Sequence, residues 1–287
     1  MKALITGIKG FSGNHLKNYL VSKKIVCLGF KGDLRDKNNV FRQINKIRPS
    51  WIFHLASPVL RSDRLIDQTL IKNLETDLFG TVNLIEAAAK LKKKPKILIT
   101  NTAAVYQPSL KPLKENSPLN PINSYGLSKM TQELISLQLA KSYKLKIIIT
   151  RTFLLIGPGQ KPGFVVNDLC HTIATGQTQI VLGNPNIRRD FTDVRDACRA
   201  YYLLITKGKP NEVYNVCSNK TFSITEIVNR LAALTGFKLI VKTKPTWRQN
   251  DPPVVCGDNC KIRKLGWQPQ INLNQSLKDT LNYWRNV

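Results

Sequence analysis

The sequence predicts an α/β fold, a doubly wound parallel sheet followed by a smaller lobe, on three observations. Short β-branched runs alternate with segments of helical periodicity, a glycine-rich turn joins the first run to the first helical segment, and the texture changes near residue 156. KALIT, KIVCLGF, WIFHLA, KILIT and KIIIT read as strands, spaced so that helices must connect them. GPGQKPG, from Gly157, is a Gly/Pro loop that leads into a helical stretch over 164–175. RDFTDVRDACRAYYLLI and EVYNVC then read as another helix and strand of the main sheet. The expected domains are 1–155 together with about 189–217, and a second lobe of 156–188 and 218–287, which a chain of 287 residues is long enough to build.

Composition narrows the class. No uninterrupted apolar run approaches the roughly 20 residues of a membrane helix. MKALITG passes from one lysine and a short apolar run straight into a glycine turn, without a secretory core or cleavage site, so the expected location is the cytoplasm. Six cysteines, at 27, 170, 198, 217, 256 and 260, are scattered through the chain, which argues against a disulfide framework. CGDNC over 256–260 has no second pair, and only His15, His54 and His171 are there to assist, so no metal site is expected. The formal net charge of +26 raises the question of nucleic acid. The lysines run along the whole chain, as in LKKKPK and ITKGKP, without a basic tail or aromatic-interleaved stripe, so the expectation is a solvated surface with no nucleic-acid and no membrane partner. A positive field also suits a small, multiply anionic ligand.

ALITGIKGFSGNHLKNYL places Gly7, Gly10 and Gly13 between the first strand and the first helix. Gly7 permits the tight turn, Gly10 lets backbone approach a pyrophosphate, and Gly13 allows close helix packing, while the helix N-terminus offers amides and a positive dipole end. An ordinary strand-to-helix loop does not explain three spacings and both flanking elements together, so the sheet is expected to be Rossmann-type. At the end of the second strand an acidic residue would hydrogen-bond the ribose of NAD and repel a 2′-phosphate. The chain instead carries Gly29, Phe30 and Lys31, which favours NADP(H) and leaves NAD(H) second. Asp33, in GDLRD, is placed to accept from an adenine amino group.

SYGLSK, over 124–129, puts Tyr125 and Lys129 at i and i+4, on one helical face. A free phenol has a pKa of about 10, and a neighbouring ammonium brings it toward working pH, where it serves as general acid or base. Tyrosine and lysine are also common neighbours on a helix surface, and the pair gains weight only beside the glycine turn. Thr102, in TNTAAVYQ, offers a hydroxyl to the same substrate oxygen, and Ser124 is expected to be the helix N-cap.

With these residues the chain resembles the extended short-chain dehydrogenases/reductases, which act on nucleotide-diphosphate sugars. The resemblance runs through TGIKGFSG, GDLRD, HLAS, TNTAAVYQ, YGLSK, RTFLLIGPGQ, RRDFTDV and KLGWQP, in the family's order and over essentially the whole chain. It implies catalytic Thr102, Tyr125 and Lys129, the last two also touching coenzyme. It implies nicotinamide-side contacts from Leu55, Ala56 and Ser57, with Phe11 and Leu34 completing the coenzyme set. The second lobe becomes a substrate-binding lobe, with Arg189 and Arg248 on the diphosphate and Asp251 on a sugar or ribose hydroxyl. Trp267 is read as a packing anchor. A homodimer, through a helix bundle that includes the YGLSK helix, is implied in the same way.

Dehydration, C4 epimerisation and reduction of a 4-keto sugar share this scaffold. Dehydratases need acidic groups just after the catalytic threonine, and here those positions are Ala103 and Ala104, whose methyl groups do no acid–base work. RTFLLIGPGQK, RRDFTDV and EVYNVCSN are most similar to the GDP-4-keto-6-deoxy-D-mannose reductases. The alternatives are an NAD-dependent 4-epimerase and, from another class, a non-catalytic binding protein on the same fold. Asp77 and Leu154 stand where the family often has asparagine.

Overall fold

The computed structural model describes residues 1–58, 68–244 and 251–287. The chain opens with β1 (Lys2–Thr6), α1 (Phe11–Ser22), β2 (Val26–Gly29), α2 (Lys37–Ile47) and β3 (Trp51–His54). It continues with α3 (Gln68–Leu74), a π-helical turn (Glu75–Gly80), α4 (Thr81–Ala89), β4 (Lys96–Thr102), α5 (Ser124–Ser142) and β5 (Lys146–Thr152). Then follow β6 (Leu154–Ile156), α6 (Val165–Ala174), β7 (Gln179–Leu182), β8 (Arg188–Asp193), α7 (Val194–Lys207) and β9 (Val213–Val216). The last elements are β10 (Thr221–Ser223), α8 (Ile224–Thr235), β11 (Ile240–Thr243), β12 (Val254–Val255), α9 (Cys260–Arg263) and α10 (Leu273–Arg285).

The main sheet is parallel, in the order β2-β1-β3-β4-β5-β9. Its strands are apolar on both faces, because successive side chains point to opposite sides and both sides are covered. Ala3 and Ile5 enter one core, with Leu16, Leu20 and Tyr201 of α1 and α7, while Leu4, Ile52 and Ile97 enter another beneath α2 and α4. The chain leaves β1 for β2 and then returns across β1 to β3, so the strand order reverses there. The connections diverge at the C-terminal ends of β1 and β3, and a crevice opens between them.

A second sheet centres on β8, which pairs with β6, β10 and β12, while β7 and β11 form a separate parallel pair. Helices α6, α8 and α10 cover these strands around Ile173, Ile227, Leu231 and Leu277. One expectation changes here. RDFTD, from Arg189, was read as part of the helix on the main sheet, but residues 188–193 form β8 of the second sheet, and that helix starts only at Val194. The side chains decide this: Phe191 packs into the second lobe's core, whereas Val194, Ala197 and Tyr201 pack against α1 and the main sheet. Leu154 likewise begins β6, opposite Phe191, so the expected boundary at 155 falls inside a strand of the second sheet.

Candidate active site

The phosphate turn follows β1. Gly7 holds φ +71° and lies so close to the segment that follows β3 that a Cβ would sit 3.0 Å from the Ala56 nitrogen. At Gly13 a Cβ would come within 2.0 Å of the Gly7 carbonyl oxygen, so a side chain there would push α1 off the turn. Gly10 precedes α1, whose first turn carries no acidic residue. A cavity of about 700 Å³ opens over this turn, walled by Gly7–Lys9, by Gly29–Leu34, and by Ala56 and Thr76. Of the residues expected at a coenzyme, Gly7, Lys31, Asp33, Leu34 and Ala56 line this one space. Phe11, the first residue of α1, packs edge-on against His15 with ring centroids 5.5 Å apart.

Two further observations fit a dinucleotide. Ser57 Oγ is buried without a hydrogen-bond partner among the described residues, an orphan polar atom of the kind a ligand amide satisfies. Asp33 is claimed by a neighbour: Arg35 donates its backbone N–H and its Nε, at 2.8 and 2.9 Å, and bridges on to Glu75 at 2.6 Å. That guanidinium holds the Asp33 carboxyl below the usual carboxylate range and offsets its charge.

Thr102 ends β4. Its Oγ accepts from the Ala104 amide at 3.2 Å, and its backbone N–H donates to Asn101 Oδ1 at 2.7 Å. The first turn of α5 rests on the Ala103–Val105 turn that follows. Gly126 makes this possible, because a Cβ there would lie 2.3 Å from the Ala104 carbonyl oxygen. Asn101 adds a second tie, donating to the Lys129 carbonyl at 3.0 Å and to Glu133 Oε2 at 2.9 Å. Glu133 is in turn gripped by Arg151 of β5, at 2.5 and 3.1 Å. Strand β4 and the loop after it therefore anchor the first turns of α5, which carry Tyr125 and Lys129, beside Thr102. The N-cap of α5 is Asn123, accepting from Gly126 at 2.8 Å, rather than the expected Ser124. Ser124 is already helical, and its hydroxyl pairs with Thr69 of α3 at 2.8 Å.

Tyr125 is partly exposed, whereas Lys129 is buried, with its Nζ turned to Gln132 Oε1 at 2.5 Å and to Asp77 Oδ1 at 3.9 Å. Burial pushes the Lys129 ammonium pKa down, and Asp77 and Glu133 push it back. Asp77 sits in the π-helical turn between α3 and α4; its Oδ2 accepts from Ser128 at 3.1 Å.

A buried chain of hydrogen bonds continues from Lys129 to the phosphate turn. Thr6 Oγ1 accepts the Leu55 and Ala56 amides, both at 3.1 Å, so its own proton goes to His54 Nδ1 at 2.7 Å. Nδ1 is thus an acceptor, and Nε2–H donates to Thr81 Oγ1 at 2.8 Å. Thr81 also receives Gln132 Nε2 at 2.7 Å and donates to the Asp77 carbonyl. Every donor direction is fixed, and His54 is the neutral Nε2–H tautomer. Burial, and then the Lys129 charge, press its pKa down to about 3.

The GDP-mannose 4,6 dehydratase family model matches residues 27–280. The chain belongs to that family. As a member, it is an enzyme of the extended short-chain dehydrogenase/reductase class. It is 28% identical to GDP-6-deoxy-D-mannose reductase of Pseudomonas aeruginosa, over 99% of this chain and 97% of that one. The structure of RMD from Pseudomonas aeruginosa complexed with NADPH superposes with a TM-score of 0.91 at 27% identity, covering 100% of this chain and 99% of that chain. UDP-glucose 4-epimerase of Thermotoga maritima with UDP-glucose also gives a TM-score of 0.91 at 27% identity, over 100% and 99%.

Of the residues expected at substrate, Thr102 belongs to the main sheet, while Arg189 and Asp251 lie with the second sheet. Arg189 of β8 is 8% exposed, donates to the Arg188 and Pro252 carbonyls, and lies 3.4 Å from Asp251. Arg189 and Asp251 thus meet in one ion pair. Arg248 lies outside the described residues. Trp267 is buried, its Nε1 donating to the Asp196 carbonyl at 3.1 Å. Sequence reasoning missed Lys9 on the cavity wall, Arg35 on Asp33, Gly126 beneath Tyr125, and the Asn101 and Gln132 amides. The one available signal was Gly126, a glycine in a helix start where alanine is favoured by propensity, which marks a close approach.

Proposed function

We propose that the protein reduces the C4 keto group of a nucleotide-diphosphate 4-keto-6-deoxy sugar, of the GDP-4-keto-6-deoxy-mannose type, with NADPH. The observation that carries this reading is the Thr102 loop. Thr102 meets the Tyr125–Lys129 helix across Gly126, and the next two residues are Ala103 and Ala104, which cannot supply the acid and base of a dehydration. Relatives named for reduction and bound to NADPH support it.

Gly7, Gly10, Phe11 and Gly13 would hold the pyrophosphate side, Leu34 the adenine side, and Leu55, Ala56 and Ser57 the nicotinamide side. When bound, the coenzyme supplies hydride to the carbonyl carbon. The Tyr125 phenol donates a proton to the carbonyl oxygen, the Thr102 hydroxyl donates a hydrogen bond to it, and the Lys129 ammonium stabilises negative charge on both. Lys9 and Lys31 favour a 2′-phosphate, the more so because Arg35 offsets Asp33. Arg189, Arg248 and Asp251 would receive the diphosphate and sugar, exchanging the Arg189–Asp251 contact for substrate.

A homodimer fits Ile71, Phe79 and Leu134, which are 62, 58 and 52% exposed on the adjoining α3, π-helical turn and α5. The expected location is the cytoplasm.

The test is NADPH oxidation with GDP-4-keto-6-deoxy-mannose. Wild-type protein turns over, and Tyr125→Phe loses about 10² to 10⁴ in kcat while still binding NADPH. Purified protein that carries stoichiometric NAD and converts a nucleotide sugar without added coenzyme would instead establish the epimerase, the reading favoured by the Thermotoga maritima neighbour.

A further inference from the structure

We propose that the edge of the main sheet opposite the candidate site docks on an anionic membrane surface, leaving the coenzyme cleft turned away from the lipid. Along the sequence the lysines look dispersed, but the parallel topology collects them. All six main strands enter at one edge and leave at the other, and every helix that returns to the sheet ends at the entry edge. KK at 23–24 leads into β2, KIR at 46–48 into β3, KLKKKPK at 90–96 into β4, KSYKLK at 141–146 into β5 and KGK at 207–209 into β9, while Lys2 starts β1. Apart from Lys96, the cations of these segments are exposed.

The entries lie side by side. Val26 donates to the Met1 carbonyl, Ser50 to Lys2, Lys96 to Ser50 and Asn211 to Ile147, at 3.2, 2.9, 3.1 and 2.5 Å, and Lys96 is the strand neighbour of Lys146. Six strands at about 4.8 Å spacing make a cationic strip about 24 Å wide. None of the five segments contains an aspartate or glutamate. Glu212, just beyond KGK, is paired with Lys209 and Lys261. A helix C-terminus favours a cation in its last turn, which accounts for one lysine per helix. It does not account for three in succession at 92–94, nor for the absence of acids.

One feature favours lipid over nucleic acid. Val21 and Val26, each 54% exposed, flank Lys23 and Lys24 at the same edge. Aliphatic side chains among lysines suit the boundary between headgroups and acyl chains, and they have no counterpart on a nucleic-acid backbone.

The experiment is co-sedimentation of the full chain with phosphatidylcholine vesicles, with and without phosphatidylglycerol, at low salt and at about 1 M salt. Binding is expected only to the anionic vesicles, and is lost at high salt. A lysine near the leaflet is worth about fivefold in partitioning, so Lys92→Gln, Lys93→Gln and Lys144→Gln together lower it about 100-fold. The same charge change on the second lobe, by Lys220→Gln, Lys238→Gln and Lys242→Gln, leaves it within a few-fold. Val21→Ser, which removes the aliphatic side chain without adding charge, weakens vesicle binding without weakening binding to a DNA duplex. Failure to bind anionic vesicles, equal losses in the two triple variants, or tighter binding to the duplex than to the vesicles at matched salt overturns the proposal.

Discussion

Acidification tests the buried polar chain behind the candidate site, and His54 is where the effect concentrates. Its Nδ1 must accept from Thr6, whose oxygen already receives two amides, and its Nε2–H donates to Thr81, so the ring has no room for a second proton. The native pKa is pressed from the ordinary 6.5 to about 3. Below 6.5 the unfolded chain binds a proton that the native ring refuses. The stability held above that pH is therefore lost as pH falls toward about 3, at about 1.4 kcal/mol per pH unit. Between about pH 7.5 and pH 5 this amounts to about 2 kcal/mol from one residue. Urea unfolding of the wild type and of His54→Gln at both pH values isolates the effect, because the other titrating groups are common to the two proteins. The variant is less stable at the higher pH, and its deficit narrows by about 2 kcal/mol at the lower. A deficit that does not change with pH, or ring nitrogen resonances showing His54 cationic at pH 5, would refute the assigned tautomer and the reasoning built on it.

Other perturbations address the ensemble itself. Gly126→Ala places a methyl group 2.3 Å from the Ala104 oxygen, lifts α5 off the Thr102 loop and lowers kcat about 10²-fold with little change in NADPH affinity; unaltered turnover would contradict the assigned close approach. Arg151→Met leaves Glu133 buried and unpaired, at a cost of about 3–5 kcal/mol in chemical denaturation, and adding Glu133→Gln recovers part of it. In Asp77→Asn the Lys129 ammonium keeps its burial and loses a supporting charge, so the high-pH limb of the activity profile moves to lower pH. A superimposable profile would count against Asp77 as its counter-ion.

Much of the molecule was legible because it rests on local rules. Three glycines between a strand and a helix specify a turn that only residues without a Cβ can make, and the contacts at Gly7 and Gly13 show that constraint. The spacing of Tyr125 and Lys129 follows from helix geometry alone. Misreadings arose where local signals were degenerate. Asn123 and Ser124 are both good N-caps, and the choice fell to Thr69, which engages the Ser124 hydroxyl from a distant helix. RDFTD was read into the helix that follows it, and only the burial of Phe191 among second-lobe side chains sets it apart as a strand of the second sheet.

The sequence by itself determined the alternation of strands and helices, the phosphate turn and the shared face of Tyr125 and Lys129, because each depends on spacing within a few residues. Only the tertiary structure decided that Gln132, Thr81 and His54 form one chain behind Lys129, that Asn101 holds the Lys129 carbonyl, that Asp77 faces its ammonium, and that lysines far apart in sequence share one edge. Those relations join residues of different strands and helices. Hydrogen bonding and Coulomb interactions depend on distance in space, which a parallel topology sets without regard to distance along the chain.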